Sequence, residues 1–365
     1  MRVLFLQQQP CVRALKIATG LRAALPGLEL GFAYQGRTLG EYYGAGDDLF
    51  VRWWDLGDHA AATLPAVLDE FQPELVHSHN LPDSLTVLAQ ELVRGSVPVV
   101  HDVHDLQSLR RTPYENGFPE PGDPVGLERR AIEGSDAVVA VSDELLDEME
   151  SRYRVPQARA VFANYALEDD LPPLLASRRR PGGEPPRLVY EGTLSTNGGH
   201  YDLREIFVAL VEQGVTLDVY PSRGVPAYAD LARVAPGLTY HEHLPARELL
   251  GRLPEYDFGW AGFNDGLNKA HIDTALPNKL FEYLACGLPV LTLGHRALRR
   301  FLRERGLGIA LGSPADLGAE LARRDLEKLR ARVVAARPTM TVEANIGTIV
   351  ALYDDLVASP VAARA

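Results

Sequence analysis

The chain has 365 residues, 46% hydrophobic and 24% charged, which is enough for a sizeable core and more than one core usually serves, so two domains are expected. A formal net charge of -12 opposes binding to nucleic acid, or to anionic lipid over the whole surface. Cys11 and Cys286 are the two cysteines, far apart and each in an apolar setting, so neither a disulfide framework nor a zinc cluster is expected and a reducing cytoplasm fits.

The opening "MRVLFLQQQP" carries one arginine and an apolar run too short for a signal peptide, and it reads as a first strand over 2–6. Further strands are expected at 74–79, 97–104 and 136–142, alternating with helices at 12–25, 58–71, 83–94 and 125–134. Continuous apolar strands separated by helices predict a parallel sheet covered on both faces. "LPPLLASRRRPGGEPPR", rich in Pro, Gly and Arg, predicts an interdomain linker over 171–187. The pattern then restarts, with strands at 187–192, 216–221, 257–263 and 289–294 and helices at 201–213, 246–253, 278–286, 296–305 and 315–335. The expected division is an N-terminal domain over 1–170, a C-terminal domain over 188–340 and a last helix within 341–365 that packs back on the first domain. The fold class is α/β, two Rossmann-like doubly wound domains facing a cleft. In such sheets ligands bind outside the carboxyl ends of the strands. No stretch reaches the ~18 apolar residues of a membrane span.

"ALPNKLFEYLACGLPVLT" over 275–292 predicts a short helix begun by Pro277 and stopped by Gly287. Leu276, Leu280, Phe281 and Leu284 share one face, and Asn278, Lys279 and Glu282 another. Free amides of residues 278–280 with a lysine beside them make a seat for phosphate. Glu282, one turn deeper, can accept hydrogen bonds from two ribose hydroxyls, so a nucleoside diphosphate satisfies both groups. On spacing alone, Lys279 and Glu282 fit an ordinary exposed i,i+3 pair equally well.

In "HDVHD" over 101–105, His101 and His104 stand at odd spacing and point to opposite faces of a strand, which favours a hydrogen-bonded pair over a metal site. His77 and His79 share a face at a strand end, near Asn80. The polar segment 105–117 follows the same strand and offers Arg110, Arg111 and Tyr114 as acceptor contacts, a solvated loop being the equal alternative. The basic stretches 177–180 and 296–306 read as solvated surface in preference to lipid contacts, leaving at most peripheral membrane association. There is no G-x-G-x-x-G after a strand, no Walker loop and no G-x-S-x-G, which disfavours nicotinamide dehydrogenases, P-loop enzymes and the usual serine hydrolases.

"PNKLFEYLACGLPVL" resembles the donor-binding segment of family 4 (group 1) glycosyltransferases of the GT-B fold, especially the subgroup that builds bacterial surface polysaccharides. "PELVHSHN" over 73–80, "VPVVHDVHDL" over 97–106, "LERRAIEGSDAVVAVSDEL" over 127–145 and "LVYEGTLS" over 188–195 follow the family in order. The resemblance implies a cytoplasmic enzyme that holds a sugar nucleotide, UDP favoured, in its C-terminal domain and transfers the sugar with retention to a glycan, lipid-linked or small-molecule acceptor. It implies Glu282 on the ribose and Lys279 with the amides of Asn278 and Leu280 on the diphosphate. His104 would stabilise the leaving group and Asp105 would orient it. No metal is required, and His79 and Asn80 would be acceptor contacts.

The chain departs from the family in three places. Thr274 stands where a first donor-site glutamate is usual, with His271 and Asp273 adjacent as substitute sugar contacts. "YEGTLSTNGGHYD" offers Thr193 and Ser195 but no Arg or Lys, and "LQQQPCVRAL" lacks the usual Gly-Gly. Two alternatives follow: a catalytically degenerate partner subunit of the same fold, and a sugar-nucleotide 2-epimerase.

Overall fold

In a computed structural model describing residues 1–111, 122–174 and 184–358, the chain forms two units, Met1–Ala163 with Val342–Ala365, and Asn164–Thr341. The first contains β1 (Arg2–Leu6), β2 (Glu29–Tyr34), β3 (Arg52–Asp55), β4 (Leu75–His79), β5 (Val99–Val103), β6 (Ala137–Ala140) and β7 (Ala158–Val161). They pair in parallel in the order β3-β2-β1-β4-β5-β6-β7. The second contains β8 (Arg187–Gly192), β9 (Thr216–Pro221), β10 (Leu238–Tyr240), β11 (Phe258–Trp260), β12 (Val290–Leu293) and β13 (Gly308–Leu311). These are also all parallel, in the order β10-β9-β8-β11-β12-β13. Both are α/β doubly wound sheets, in which each strand-to-strand crossover runs through a helix.

The interior strands are those whose apolar runs are unbroken. Val3 to Leu6, Leu75, Val76, Val99 and Val100 are fully buried or nearly so, as are Leu188 to Tyr190. Five strands lie outside the apolar runs of the sequence. β3, β7, β10 and β13 are the four sheet edges, short and covered on fewer sides, so they do not need an apolar run. β2 is interior, but Gly31 interrupts it because a Cβ there would stand 2.7 Å from the Trp54 ring. The helix expected over 315–335 is broken into Leu317–Ala322 and Leu326–Ala336, the second capped by Asp325, whose carboxylate accepts from the Lys328 amide at 3.0 Å.

The chain passes between units at Ala163–Asn164, not at 170, and returns at Thr341–Val342. The expected linker begins inside the second unit, where Arg337 Nη2 donates to the Pro172 carbonyl. Residues 175–183, including the basic 177–180, lie outside the described residues. The helix Gly347–Ala358 buries Tyr353 in the first unit, its hydroxyl 2.5 Å from His77 Nδ1. Among the described residues no helix is long and apolar enough to cross a membrane.

Candidate active site

The helix that carries Lys279 runs Asn278–Ala285, with Pro277 as its cap and not its first residue. Its stop is Gly287, in the left-handed region at φ +75°. The Leu280 amide donates to the Pro277 carbonyl at 3.1 Å, which removes Leu280 from the expected phosphate seat. Leu280, Phe281, Tyr283 and Leu284 are buried. Tyr283 reaches under the sheet because Gly259 on β11 has no side chain, a Cβ there lying 2.2 Å from the ring. Its hydroxyl accepts from the Glu191 amide at 2.9 Å, fastening the end of β8 to the helix.

Lys279 is 8% exposed, so the exposed salt pair does not describe it. Its ammonium lies 4.0 Å from the centroid of the Tyr190 ring and makes no hydrogen bond. Burial lowers its pKa to about 8, against the pull of Glu191 and Glu282. Gly192, at the carboxyl end of β8 with φ +120°, admits it: a Cβ there would stand 3.1 Å from Nζ. Lys279 is thus a buried cation beside a helix start, with unused donors and with Glu191 and Glu282 as the carboxylates whose charge favours its ammonium. Asn278 and Glu282 are half-buried at the same helix end.

The other donor residues are placed as follows. Tyr190 donates its hydroxyl to the carbonyl of half-buried Thr193. The Ser195 hydroxyl donates to Asn197 Oδ1 at 3.0 Å, and the Gly199 amide donates to the same oxygen at 2.9 Å. The Gly198 amide donates to Asp202 Oδ2 at 3.0 Å. The Gly198-Gly199 loop is thus tied down by its own side chains. Asp273 accepts from Lys269 Nζ at 2.9 Å and from the Arg296 amide at 3.1 Å, capping the helix Arg296–Arg305. The Thr274 hydroxyl donates to the His271 carbonyl at 2.7 Å, and His271 is buried beside the His200 ring. Asp273 and Thr274 therefore spend their side chains on the turn, which argues against their standing in for the missing glutamate.

In the first unit β4 and β5 lie side by side with His79 opposite Asp102. Asp102 is the hub of a cluster that is buried apart from His104. It accepts from Arg13 Nε at 3.0 and 2.9 Å and lies 3.4 Å from His77 Nε2, 3.3 Å from His79 Nδ1 and 3.9 Å from His104 Nε2. Burial pushes its pKa up, but Arg13 and the neighbouring histidines hold it well below the usual carboxylate range. Burial lowers the pKa of His77, that of His79 to about 3 and that of His104 to about 4, so all three are neutral at pH 7. His101 points the other way, with Nε2 3.2 Å from Asp83 and Nδ1 3.0 Å from Thr86.

His77, His79 and Asp102 bring three potential metal-ligand atoms within 4.8 Å of one another. Arg13 already supplies the positive charge that a cation would bring, so a hydrogen-bonded cluster suits this set better. Asp102 and His104 share a strand parity, a signal present in the sequence.

His104, 21% exposed at its side chain, is the member of the cluster that reaches the surface. Asn80 holds it there: its Oδ1 accepts from the His104 amide at 2.7 Å, and its Nδ2 donates to the Asp105 carbonyl at 2.7 Å. His79 and Asn80 are 0% and 1% exposed; Asn80 lines a cavity with His104 and Asp105, and His79 does not. Arg110 is half-buried and Arg111 exposed on the segment after β5, while Tyr114 lies outside the described residues.

The model of Glycosyltransferase Family 4 matches residues 48–163, and that of the Glucosyltransferase 3-like C-terminal domain matches residues 199–342. No curated protein matches significantly. Among solved structures, the chain is similar to a glycosyltransferase from Rickettsia africae ESF-5, with TM-score 0.69 and 12% identity over 98% of this chain and 99% of that one. Sucrose-phosphate synthase from Thermosynechococcus elongatus gives TM-score 0.71 and 14% identity over 98% and 100%. Anabaena Alr3699/HepE, in complex with UDP and glucose, gives 0.65 and 11% over 98% of each chain. The first matched segment spans β3 to β7 and the second β9 to β13, and the chain belongs to the family 4 glycosyltransferases of the GT-B fold.

Proposed function

We propose that this glycosyltransferase takes its sugar from a nucleoside diphosphate sugar, UDP favoured, and passes it with retention to an acceptor hydroxyl in the cytoplasm, with no metal required. The observation that carries this reading is Lys279, a buried ammonium with no hydrogen-bond partner at the carboxyl end of β8. The diphosphate sits on Lys279 and the helix start, and the ribose hydroxyls donate to Glu282. That Anabaena Alr3699/HepE binds UDP and UDP-glucose favours UDP here.

In the reaction the bond from the anomeric carbon to the diphosphate oxygen breaks and one to the acceptor oxygen forms on the same face. The acceptor proton leaves with the departing phosphate, so no enzyme nucleophile is needed in place of the missing glutamate. His104, neutral and hydrogen-bonding, stabilises charge developing on the substrates.

Thermal shifts with UDP, GDP, dTDP, ADP and their sugars test the donor site in wild type and Glu282→Ala. A ligand at a hundred times its Kd adds about 2.7 kcal/mol of stability. A shift with one base, lost in the variant, supports the site; no shift with any nucleotide favours a partner subunit without donor chemistry. Product mass separates transfer from 2-epimerisation, because an epimer keeps the mass of the donor.

A further inference from the structure

A cavity of about 230 Å³ opens at the carboxyl ends of β1, β4 and β5, lined by Gln7, Gln9, Tyr42, Tyr43, His104 and Asp105 among others. It lies wholly within the first unit. Its walls are held in place: Gln7 accepts from the Cys11 amide at 3.1 Å, and Gln9 bonds the Arg37 amide and carbonyl at 3.1 and 3.2 Å.

Tyr42 and Tyr43 are 56% and 43% exposed, and among the described residues they are the aromatic side chains left open to solvent. Their rings meet edge to face at 4.8 Å. The helix that presents them, Leu39–Tyr43, is fixed by a capping box between Thr38 and Glu41. Asp47 ties it further, accepting from the Thr38 hydroxyl and the Gly40 amide, both at 2.7 Å. A rigid pair of exposed aromatic rings beside hydrogen-bonding side chains suits a ligand with an apolar face and hydroxyl edges.

The charge on the cavity narrows the ligand. Among the described residues no lysine or arginine lines it, Asp105 is its acidic group, and His104 is neutral at pH 7. An anionic acceptor would meet a carboxylate and no cation there. The volume falls below the range of about 300–1,000 Å³ typical of drug-sized ligands, which fits one ring.

We propose that this cavity is the acceptor subsite and that it takes a neutral glycoside, one sugar ring seated on Tyr42 and Tyr43 with a hydroxyl near His104. The inference rests on the transferase reading. The test is saturation-transfer NMR on the full chain, with methyl glucoside, methyl galactoside and methyl N-acetylglucosaminide as neutral probes and glucose 1-phosphate and methyl glucuronide as anionic ones. Wild type, Tyr42→Ala and Tyr43→Ala are compared, with UDP calorimetry on each.

The expected result is that a neutral probe binds wild type and binds each variant about tenfold more weakly, with UDP affinity unchanged. Preferential binding of the anionic probes, equal binding by the variants, or no binding of any neutral probe overturns the subsite. A wild type that binds a neutral glycoside but no nucleotide overturns the donor reading and leaves the subsite standing.

Discussion

Replacing Lys279 with methionine keeps the length of the side chain and removes its charge. Burial lowers the ammonium's pKa from 10.5 to about 8, which corresponds to about 3 kcal/mol of disfavour for the charged form in the folded state. The sign follows from proton binding. Below pH 8 the lysine is charged both folded and unfolded, so the whole penalty is present at pH 7. Between about 8 and 10.5 the unfolded chain holds a proton that the folded one has shed, and stability rises with pH. The contact with the Tyr190 ring returns about 1 kcal/mol. Lys279→Met should therefore gain about 2 kcal/mol at pH 7, read by calorimetry as a Tm rise of roughly 4–8 °C, and should lose the rise in stability above pH 8. It should also lose UDP binding. A phosphate seated on Lys279 restores the ammonium, so UDP binding to wild type at pH 8 should take up about half a proton, measured by titration in buffers of different ionisation heat. A variant less stable than wild type that still binds UDP tightly would show that the ammonium supports the fold and not a ligand.

Asp102→Asn leaves Arg13 buried against a neutral group and should cost about 3–5 kcal/mol in urea unfolding at pH 7. Asp102 has a folded pKa well below 3.8, so its contribution is present above that value and fades as pH falls through the folded one; acid titration of the variant should lack that loss. Gly192→Ala forces a side chain into φ +120° and to 3.1 Å from Lys279 Nζ, at about 1–3 kcal/mol of stability, and calorimetry should show weaker UDP binding. Tyr353→Phe removes the hydroxyl from buried His77 Nδ1 and should cost about 1–3 kcal/mol; an unchanged urea midpoint would show that the contact carries no energy.

The interior of both sheets, β2 apart, was legible because those strands must be apolar on two faces. Arg187–Gly192 and Thr216–Pro221 stand at the bounds their apolar runs suggest. The edges were not legible: Arg52–Asp55 reads as "RWWD" and has half-exposed tryptophans, since an edge strand has no second neighbour to exclude water. The passage between units at Ala163 was hidden for another reason. Proline and glycine mark where a chain stops being regular, and residues 164–170, with one 3-10 turn at Glu168–Asp170, belong to the second unit although they precede the Pro- and Gly-rich stretch.

The candidate residues of the two units were hidden by different physics. Lys279 and Glu282 can be found from helical spacing, but spacing does not distinguish a solvated pair from a receptor. What distinguishes them is Tyr190 lying under the ammonium and Gly192 leaving room for it, both supplied by β8, about ninety residues earlier in the chain. Asp102 needed only strand parity, because His79 and His104 must lie on its face once β4 and β5 are adjacent. Asp105, next in sequence to His104, is the carboxylate that adjacency suggests as its partner. In a strand the next residue points the other way, and the groups that meet are two apart or on the adjoining strand. The same geometry explains why Asp102 holds three histidines and an arginine together while only His104 reaches the surface.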